Sequence, residues 1–213
     1  MSGSYTRLLL IRHGATAANE QRPYILQGNG INGPLSEKGE AQAKSVSEFL
    51  SQTKIDAIYC SPLVRAQQTA TEIARPHGIA PTPIEGIHEV NVGLWEGQSW
   101  EAIMESHPEE YKTFINASGE IPYLGGESYQ DVLNRSKPVI EGLVEKHPGE
   151  TVVIVAHNVV NRAYLADIMN KPINEAKAIR QVNTCVNIIR YQENDRELDT
   201  LNSYLHLTED LVL

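Results

Sequence analysis

Two apolar runs that each end in a histidine set the strongest limit on how this chain can fold. Leu8-Leu9-Leu10-Ile11 leads straight into Arg12-His13-Gly14, and Val152-Val153-Ile154-Val155-Ala156 leads into His157. Short continuous runs of this kind, without polar alternation, read as strands buried on both faces. A third run, from Ile55 to Cys60, passes through Ser61-Pro62 to Arg65. Helical segments separate the runs, so the order predicts an α/β fold with three α/β/α layers around a mostly parallel central sheet. In such sheets ligands bind beyond the carboxyl ends of the strands. Arg12, His13, Arg65 and His157 would gather there.

The remaining elements follow from local signals. A Gly- and Asn-rich loop spans 14–34, and Ser36 is a fitting N-cap for a helix to about Ser51, with Ala41, Val46, Phe49 and Leu50 on its buried side. A helix is predicted from Pro62 to His77-Gly78, a loop over 79–98, and one or two helices over 99–117. A long helix over 128–147 contains Pro138, which should kink or split it. A helix over 158–170 follows the 151–156 strand. Two further strands are expected at 182–191 and 197–207, joined by a turn at Glu193-Asn194-Asp195. No repeat or interdomain linker interrupts the pattern, so residues 1–213 read as a single domain, with a small helical lid around 99–125.

Charge and cysteine content exclude several function classes. The 213 residues carry 27 acidic against 18 basic side chains, a formal net charge of −9, which argues against nucleic acid as a partner. An anionic substrate would need arginines that reverse the field inside one cleft. No apolar stretch approaches membrane-spanning length, and the N-terminus has no signal-peptide core. Cys60 and Cys185 do not make a disulfide framework, so a reducing cytoplasm is expected. A homodimer is compatible with the sequence.

The strand-end residues point to phosphate chemistry. A histidine at such a position can be a nucleophile, and an arginine beside it can hold a phosphate bidentately. Flanking arginines disfavour the imidazolium, which leaves His13 a ring lone pair at neutral pH. A hydrogen bond from its other ring nitrogen to a backbone carbonyl would fix the tautomer. Gly14 lets the backbone turn sharply. Arg12, Arg65 and His157 would surround the equatorial oxygens of the transferred group. Asn19 and Gln27 are neutral donors in the first loop. A leaving alkoxide also needs a proton, and Glu85, Glu89 and Glu96 all lie in the 79–98 loop.

Three other patterns fail on context. Gly28-Asn-Gly30-Ile-Asn-Gly33 has dinucleotide-binding spacing, but no strand enters it and Pro34 follows it. The spacing Cys60-x-x-x-x-Arg65 leaves one residue too few for a cysteine-phosphatase cradle. His77, His88, His107, His147 and His206 show no metal-ligand spacing, so neither a metal nor another cofactor is expected.

The motifs together resemble the histidine phosphatase superfamily, which includes the cofactor-dependent phosphoglycerate mutases. The matching pieces are Arg12-His13-Gly14-x-Thr16 with Asn19, Gln27-Gly28, Pro34-Leu35-Ser36-x-x-Gly39-x-x-Gln42-Ala43 and Ser61-Pro62-Leu63-x-Arg65-Ala66-x-Gln68-Thr69-Ala70. Glu89-x-x-x-Gly93-x-Trp95-Glu96-Gly97, Gly126-Glu127-Ser128 and Ala156-His157 complete the set in the family's order. The resemblance implies a phosphoglycerate mutase-like fold and a phosphohistidine on His13. It selects Glu89 as the acid and leaves Glu96 to brace the loop. It also implies phosphate contacts from Asn19, Gln27 and Asn158.

Hydrolysis is the expected outcome. Mutases follow their acid with an Arg-His-Tyr grip on phosphoglycerate, whereas this chain reads Glu89-Val-Asn-Val-Gly93 with no arginine. A phosphoglycerate mutase remains the first alternative and a phosphoprotein phosphatase or a silent binding domain the second, although silent relatives usually lose a catalytic histidine or arginine. The stretches Tyr123 to Arg135 and Ala156 to Arg162 are similar to the bisphosphatase half of enzymes that handle fructose 2,6-bisphosphate. The resemblance implies substrate contacts from Gly28, Tyr123, Arg135 and Arg162, and a small phosphorylated metabolite, such as a sugar phosphate or sugar-acid phosphate, as substrate.

Overall fold

The computed structural model describes residues 5–192 and 195–213. Its strands are β1 (Thr6–Arg12), β2 (Ala57–Cys60), β3 (Thr82–Pro83), β4 (Thr151–Ala156), β5 (Val186–Gln192) and β6 (Asp195–Ser203). The helices between them are α1 (Ala17–Glu20), α2 (Glu37–Leu50), α3 (Val64–Ala74), α4 (Trp100–Ser106), α5 (Pro108–Ala117), α6 (Tyr129–Glu145) and α7 (Asn158–Ile168). The strands form one sheet in the order β3-β2-β4-β1-β5-β6. The first three neighbouring pairs are parallel and the last two antiparallel.

The apolar runs are continuous because both sheet faces are covered. Leu8, Leu10, Val152 and Ile154 pack with Val132 and Ile140 of α6 and Val160 and Ala163 of α7. Their alternates Leu9, Ile11, Val153 and Val155 pack with Val46 and Leu50 of α2 and Ala66, Ala70 and Ile73 of α3. Burying each such Leu, Ile or Val side chain is worth about 1.5–3 kcal/mol. The chain leaves β1, skips one position to form β2, and returns to place β4 between them. That reversal opens a crevice at the carboxyl ends of β1 and β4.

Several local details differ from the sequence reading. Phe49 is 50% exposed, because Val46 and Leu50 define the buried stripe of α2 and Phe49 sits a residue off it, against His206. Helix α6 runs unbroken through Pro138. Pro138 and Asn134 both lie on the exposed side, so the Asn134 carbonyl that loses its helical partner faces water. The two-residue β3 lies within the 79–98 stretch that the sequence predicts as loop. Prolines flank and end it, which an edge strand tolerates. Strand β5 begins only at Val186, because Thr184 adopts a φ of +59° that breaks the extended run. The turn expected at Glu193-Asn194-Asp195 falls on 193–194, outside the described residues. The helical stretch over 99–117 is two helices, divided where Pro108 starts α5.

Helix α2 touches the loop after β1 through two glycines. A Cβ on Gly39 would lie 1.9 Å from the Ala15 carbonyl oxygen, and one on Gly14 would lie 2.5 Å from the Gly39 carbonyl oxygen. Gly39→Ala is therefore expected to lower stability by about 1–3 kcal/mol and to displace the loop that follows His13. Urea unfolding and turnover measured on the same preparation test this; an unchanged midpoint with unchanged turnover would refute the contact.

Candidate active site

Strand register brings the two histidines level. Arg12 pairs with Ala156, so His13 and His157 each follow at the next position of neighbouring parallel strands. The His13 amide donates to the Ala156 carbonyl at 3.1 Å, and the two rings lie with centroids 5.1 Å apart. His13 Nδ1 lies 2.6 Å from the Gly14 carbonyl oxygen. A carbonyl can only accept, so Nδ1 carries the proton and Nε2 keeps its lone pair. Arg65 Nε donates to that Nε2 at 3.3 Å.

Arg65 is fully buried in the first turn of α3. Its terminal nitrogens donate to the Ile31 and Gly28 carbonyls, both at 3.0 Å, so the 28–31 loop holds the guanidinium in place. Arg12 Nη1 is tied to the Gln181 carbonyl at 2.7 Å. Burial pushes the His13 imidazolium well below its usual range, and Arg65 and then Arg12 push it further. Burial does the same to His157, reinforced by Arg65, His13 and Arg12. Both rings are neutral in the folded protein.

The site contains buried polar atoms without partners. Arg12 Nε and both ring nitrogens of His157 find no hydrogen bond. Buried polar groups are rarely left this way. An anion seated between the strand ends would accept from Arg12 and from whichever His157 nitrogen carries the proton. A metal would need a different set: among the described residues no three His, Cys, Asp or Glu side chains gather to hold one.

A cavity of about 210 Å³ opens beside these groups, lined by Arg12, His13, Asn19, Gln27, Glu89, Tyr123, Asn158 and Arg162. Glu89 is buried, and its carboxyl group accepts from the Val90 amide at 2.9 Å and the Val159 amide of α7 at 3.3 Å. Arg162 Nε is anchored on the Ile179 carbonyl at 2.7 Å. Gln27 uses its amide internally, accepting from the Thr16 hydroxyl at 2.7 Å and donating to the Ile31 carbonyl at 3.3 Å. Tyr24, Trp100, Phe114, Tyr129 and Lys177 also line the cavity and carried no site role in the sequence reading. Nothing in their spacing marks them, since they converge only when the loop after α1, helices α4, α5 and α6, and the 173–178 turn pack together. Lys177 Nζ reaches the Ile115 carbonyl of α5 at 2.5 Å.

Two expected substrate contacts lie elsewhere. Arg135 does not line the cavity. Its Nε and Nη2 grip the Glu127 carboxylate at 2.7 and 3.1 Å, Nη1 donates to the Gly86 and His88 carbonyls at 2.8 Å, and Nη2 also reaches the Glu89 carbonyl at 3.1 Å. With its donors spent this way, Arg135 holds the backbone that carries Glu89. Gly28 likewise faces a neighbouring strap: a Cβ there would meet the Val90 carbonyl oxygen at 2.5 Å. Glu96 braces the loop, accepting from the Gly28 amide at 2.7 Å and the Gly30 amide at 3.1 Å. Cys60 is buried, and burial pushes its thiol up to about 11, which removes it as a nucleophile.

Side chains from three elements hold the backbone after β1. The Gly14 amide donates to Thr69 Oγ1 at 3.0 Å, the Ala15 amide to Gln42 Oε1 at 2.8 Å, and the His13 carbonyl accepts from Asn183 Nδ2 at 3.0 Å. Gln42 and Thr69 fall within recognisable motifs, but their polar side chains gave no hint of this task. Asn183 carried no signal at all.

Two neutral histidines at the carboxyl ends of parallel strands, with half-buried Arg12 and buried Arg65 beside them, define an α/β enzyme that handles phosphate. The chain belongs to the histidine phosphatase superfamily, branch 1, whose family model matches residues 8–204, and it is a phosphatase acting on phosphomonoesters. It is 32% identical over 203 residues to phosphoserine phosphatase 1 of Hydrogenobacter thermophilus, covering 95% of each chain. It is 33% identical over 208 residues to a metal-independent phosphoserine phosphatase of Arabidopsis thaliana, covering 95% of this chain and 84% of the relative. Among solved structures it is similar to Bacillus stearothermophilus YhfR, with a TM-score of 0.87 at 29% identity over 94% of this chain and 98% of the other. No described helix is long and apolar enough to cross a membrane.

The neutral histidines also make stability depend on pH. His13 and His157 resist protonation when folded, and burial lowers His206 to about 4. The unfolded chain protonates all three below about 6.5. It then binds more protons than the folded chain, so the stability present above that pH is lost as the pH falls. Urea midpoints should drop between about pH 7 and pH 5, and by less in His206→Asn. Equal drops in both proteins would exclude a contribution from His206.

Proposed function

We propose that the enzyme hydrolyses a small phosphomonoester in two steps through a phosphohistidine on His13. The observation that carries this reading is the fixed tautomer: Nδ1 is committed to the Gly14 carbonyl, and the Nε2 lone pair points at the Arg65 guanidinium. The substrate phosphate sits between Arg12, Arg65, His157 and Asn19, which take the charge of its equatorial oxygens. Nε2 attacks phosphorus, the ester P–O bond breaks, and the Glu89 carboxyl gives its proton to the departing alkoxide. Glu89, now a carboxylate, takes a proton from water as the water oxygen attacks the phosphohistidine. The N–P bond breaks, His13 is restored and inorganic phosphate leaves.

The cavity argues for a compact substrate. Its volume of about 210 Å³ lies below the usual ~300–1,000 Å³ of ligand pockets. Trp100, Phe114 and Ile115 wall one side, so α4 and α5 act as a lid that keeps out a folded phosphoprotein. Arg162 and Lys177 add positive charge beyond the phosphate site and invite a second anionic group. A carboxylate meets that requirement. Phosphoserine, named in two relatives that each cover 95% of this chain, is therefore the leading substrate, with sugar-acid phosphates next. The buried free thiols Cys60 and Cys185 suit the reducing cytoplasm.

Rapid-quench mass spectrometry should find an acid-labile phosphoryl adduct on His13 during turnover, and His13→Ala should be inactive. Full activity of that variant would exclude the mechanism. Charge-assisted contacts are worth about 1.5–3 kcal/mol. Arg162→Ala should accordingly raise KM for phosphoserine roughly ten- to a hundredfold and leave p-nitrophenyl phosphate nearly unchanged. An equal effect on both would place Arg162 in the scaffold.

A further inference from the structure

We infer that Asn183 is a positioning residue that, together with the Thr16 amide, sets which end of the Asn19 side-chain amide faces the phosphate. The inference rests on the phosphate site proposed above and concerns a residue outside the cavity wall. Asn183 is buried in the turn between the 173–178 segment and β5. One amide group, its Nδ2, donates to the His13 carbonyl at 3.0 Å and to Asn19 Oδ1 at 3.3 Å. Asn19 Oδ1 also accepts from the Thr16 amide at 3.1 Å.

Backbone groups dictate the sense of both amides. A carbonyl only accepts, so the atom of Asn183 facing His13 O must be the nitrogen. A backbone amide only donates, so the atom of Asn19 facing Thr16 N must be the oxygen. With two donors on its oxygen, Asn19 has its NH2 left for the cavity that it lines. That is the sense an anion requires. Turned the other way, Asn19 would present an oxygen to phosphate and repel it.

The turn itself is held firmly. Thr184 sits at φ +59°, a left-handed conformation unusual for a β-branched residue, and its amide donates to the Arg12 carbonyl at 3.0 Å. The segment after Ile179 thus clamps the backbone of Arg12 and His13. Through Asn183 the same clamp reaches a group that meets the substrate.

Asn183→Asp reverses the cue. A carboxylate at 183 only accepts, so it works against the Thr16 amide, drawing the Asn19 NH2 toward itself and turning Oδ1 toward the cavity. The test is a double-mutant cycle on competitive inhibition by orthophosphate, with p-nitrophenyl phosphate as the reporter substrate. Asn19→Ala should weaken phosphate roughly ten- to a hundredfold, the range of one charge-assisted contact. Asn183→Asp alone should weaken it at least as much, and its effect should shrink roughly tenfold when Asn19 is already alanine, the loss that remains being that of its separate bond to the His13 carbonyl. A full additive loss in the Asn19→Ala background would overturn the inference and return Asn183 to general support of the fold. If the aspartate variant does not fold, Asn183→Ala serves the same cycle, with a smaller single effect that must again shrink in Asn19→Ala. Failure of orthophosphate to compete in the wild-type enzyme would overturn the phosphate site and the inference together. Competition with an additive cycle would remove only the inference.

Discussion

The parallel pairing of β1 with β4 is the contact on which the site depends. Its register sets Arg12 opposite Ala156, and each strand then delivers a histidine at the next residue. A slip of one residue would turn every side chain of the run to the opposite face. The two clusters that alternate along these strands, one against α6 and α7 and the other against α2 and α3, oppose such a slip. Packing on both faces of the sheet therefore fixes the geometry of the chemistry at its end. The chain order contributes as well, since β4 enters between β1 and β2 and leaves the crevice where the three strands stop.

Electrostatics in that crevice runs against the protein's overall charge. The chain carries a formal −9, yet Arg12, Arg65, Arg162 and Lys177 gather around one small volume. Burial keeps His13 and His157 neutral among these cations, and the cations keep them so. A neutral imidazole next to guanidinium groups combines a free lone pair with a positive surrounding, which is what attack on a phosphate dianion needs. Protonation of His13 would remove that lone pair. An uncharged surround would fail to hold the substrate.

Much of the polar density near the site is structural. Arg135 spends its guanidinium on Glu127 and on three carbonyls of the loop that carries Glu89. Glu96 ties down the Gly28 and Gly30 amides, whose Gly28 and Ile31 carbonyl neighbours in turn hold Arg65. Thr69, Gln42 and Asn183 secure successive backbone groups from His13 to Ala15. Loops dense in glycine cannot hold a reactive geometry through their own side chains. Buried side chains from α2, α3, α6 and the turn before β5 supply the missing constraints.

The sequence by itself determined the strands that end in His13 and His157, the α/β alternation and the family. These are properties of local order: apolar continuity, residue type and motif spacing survive in one dimension. Where each polar group directs its hydrogen bonds was decided only by the tertiary structure. Arg135 and Arg162 look alike in sequence, each on a helix that follows a motif, yet one meets Glu127 and carbonyls while the other meets the cavity. Lys177, Trp100 and Phe114 reach the same cavity from distant segments. Asn183 reaches His13 across 170 positions of chain. Such pairings depend on how helices and turns pack over the sheet, and contacts between segments far apart in the chain leave no spacing to read.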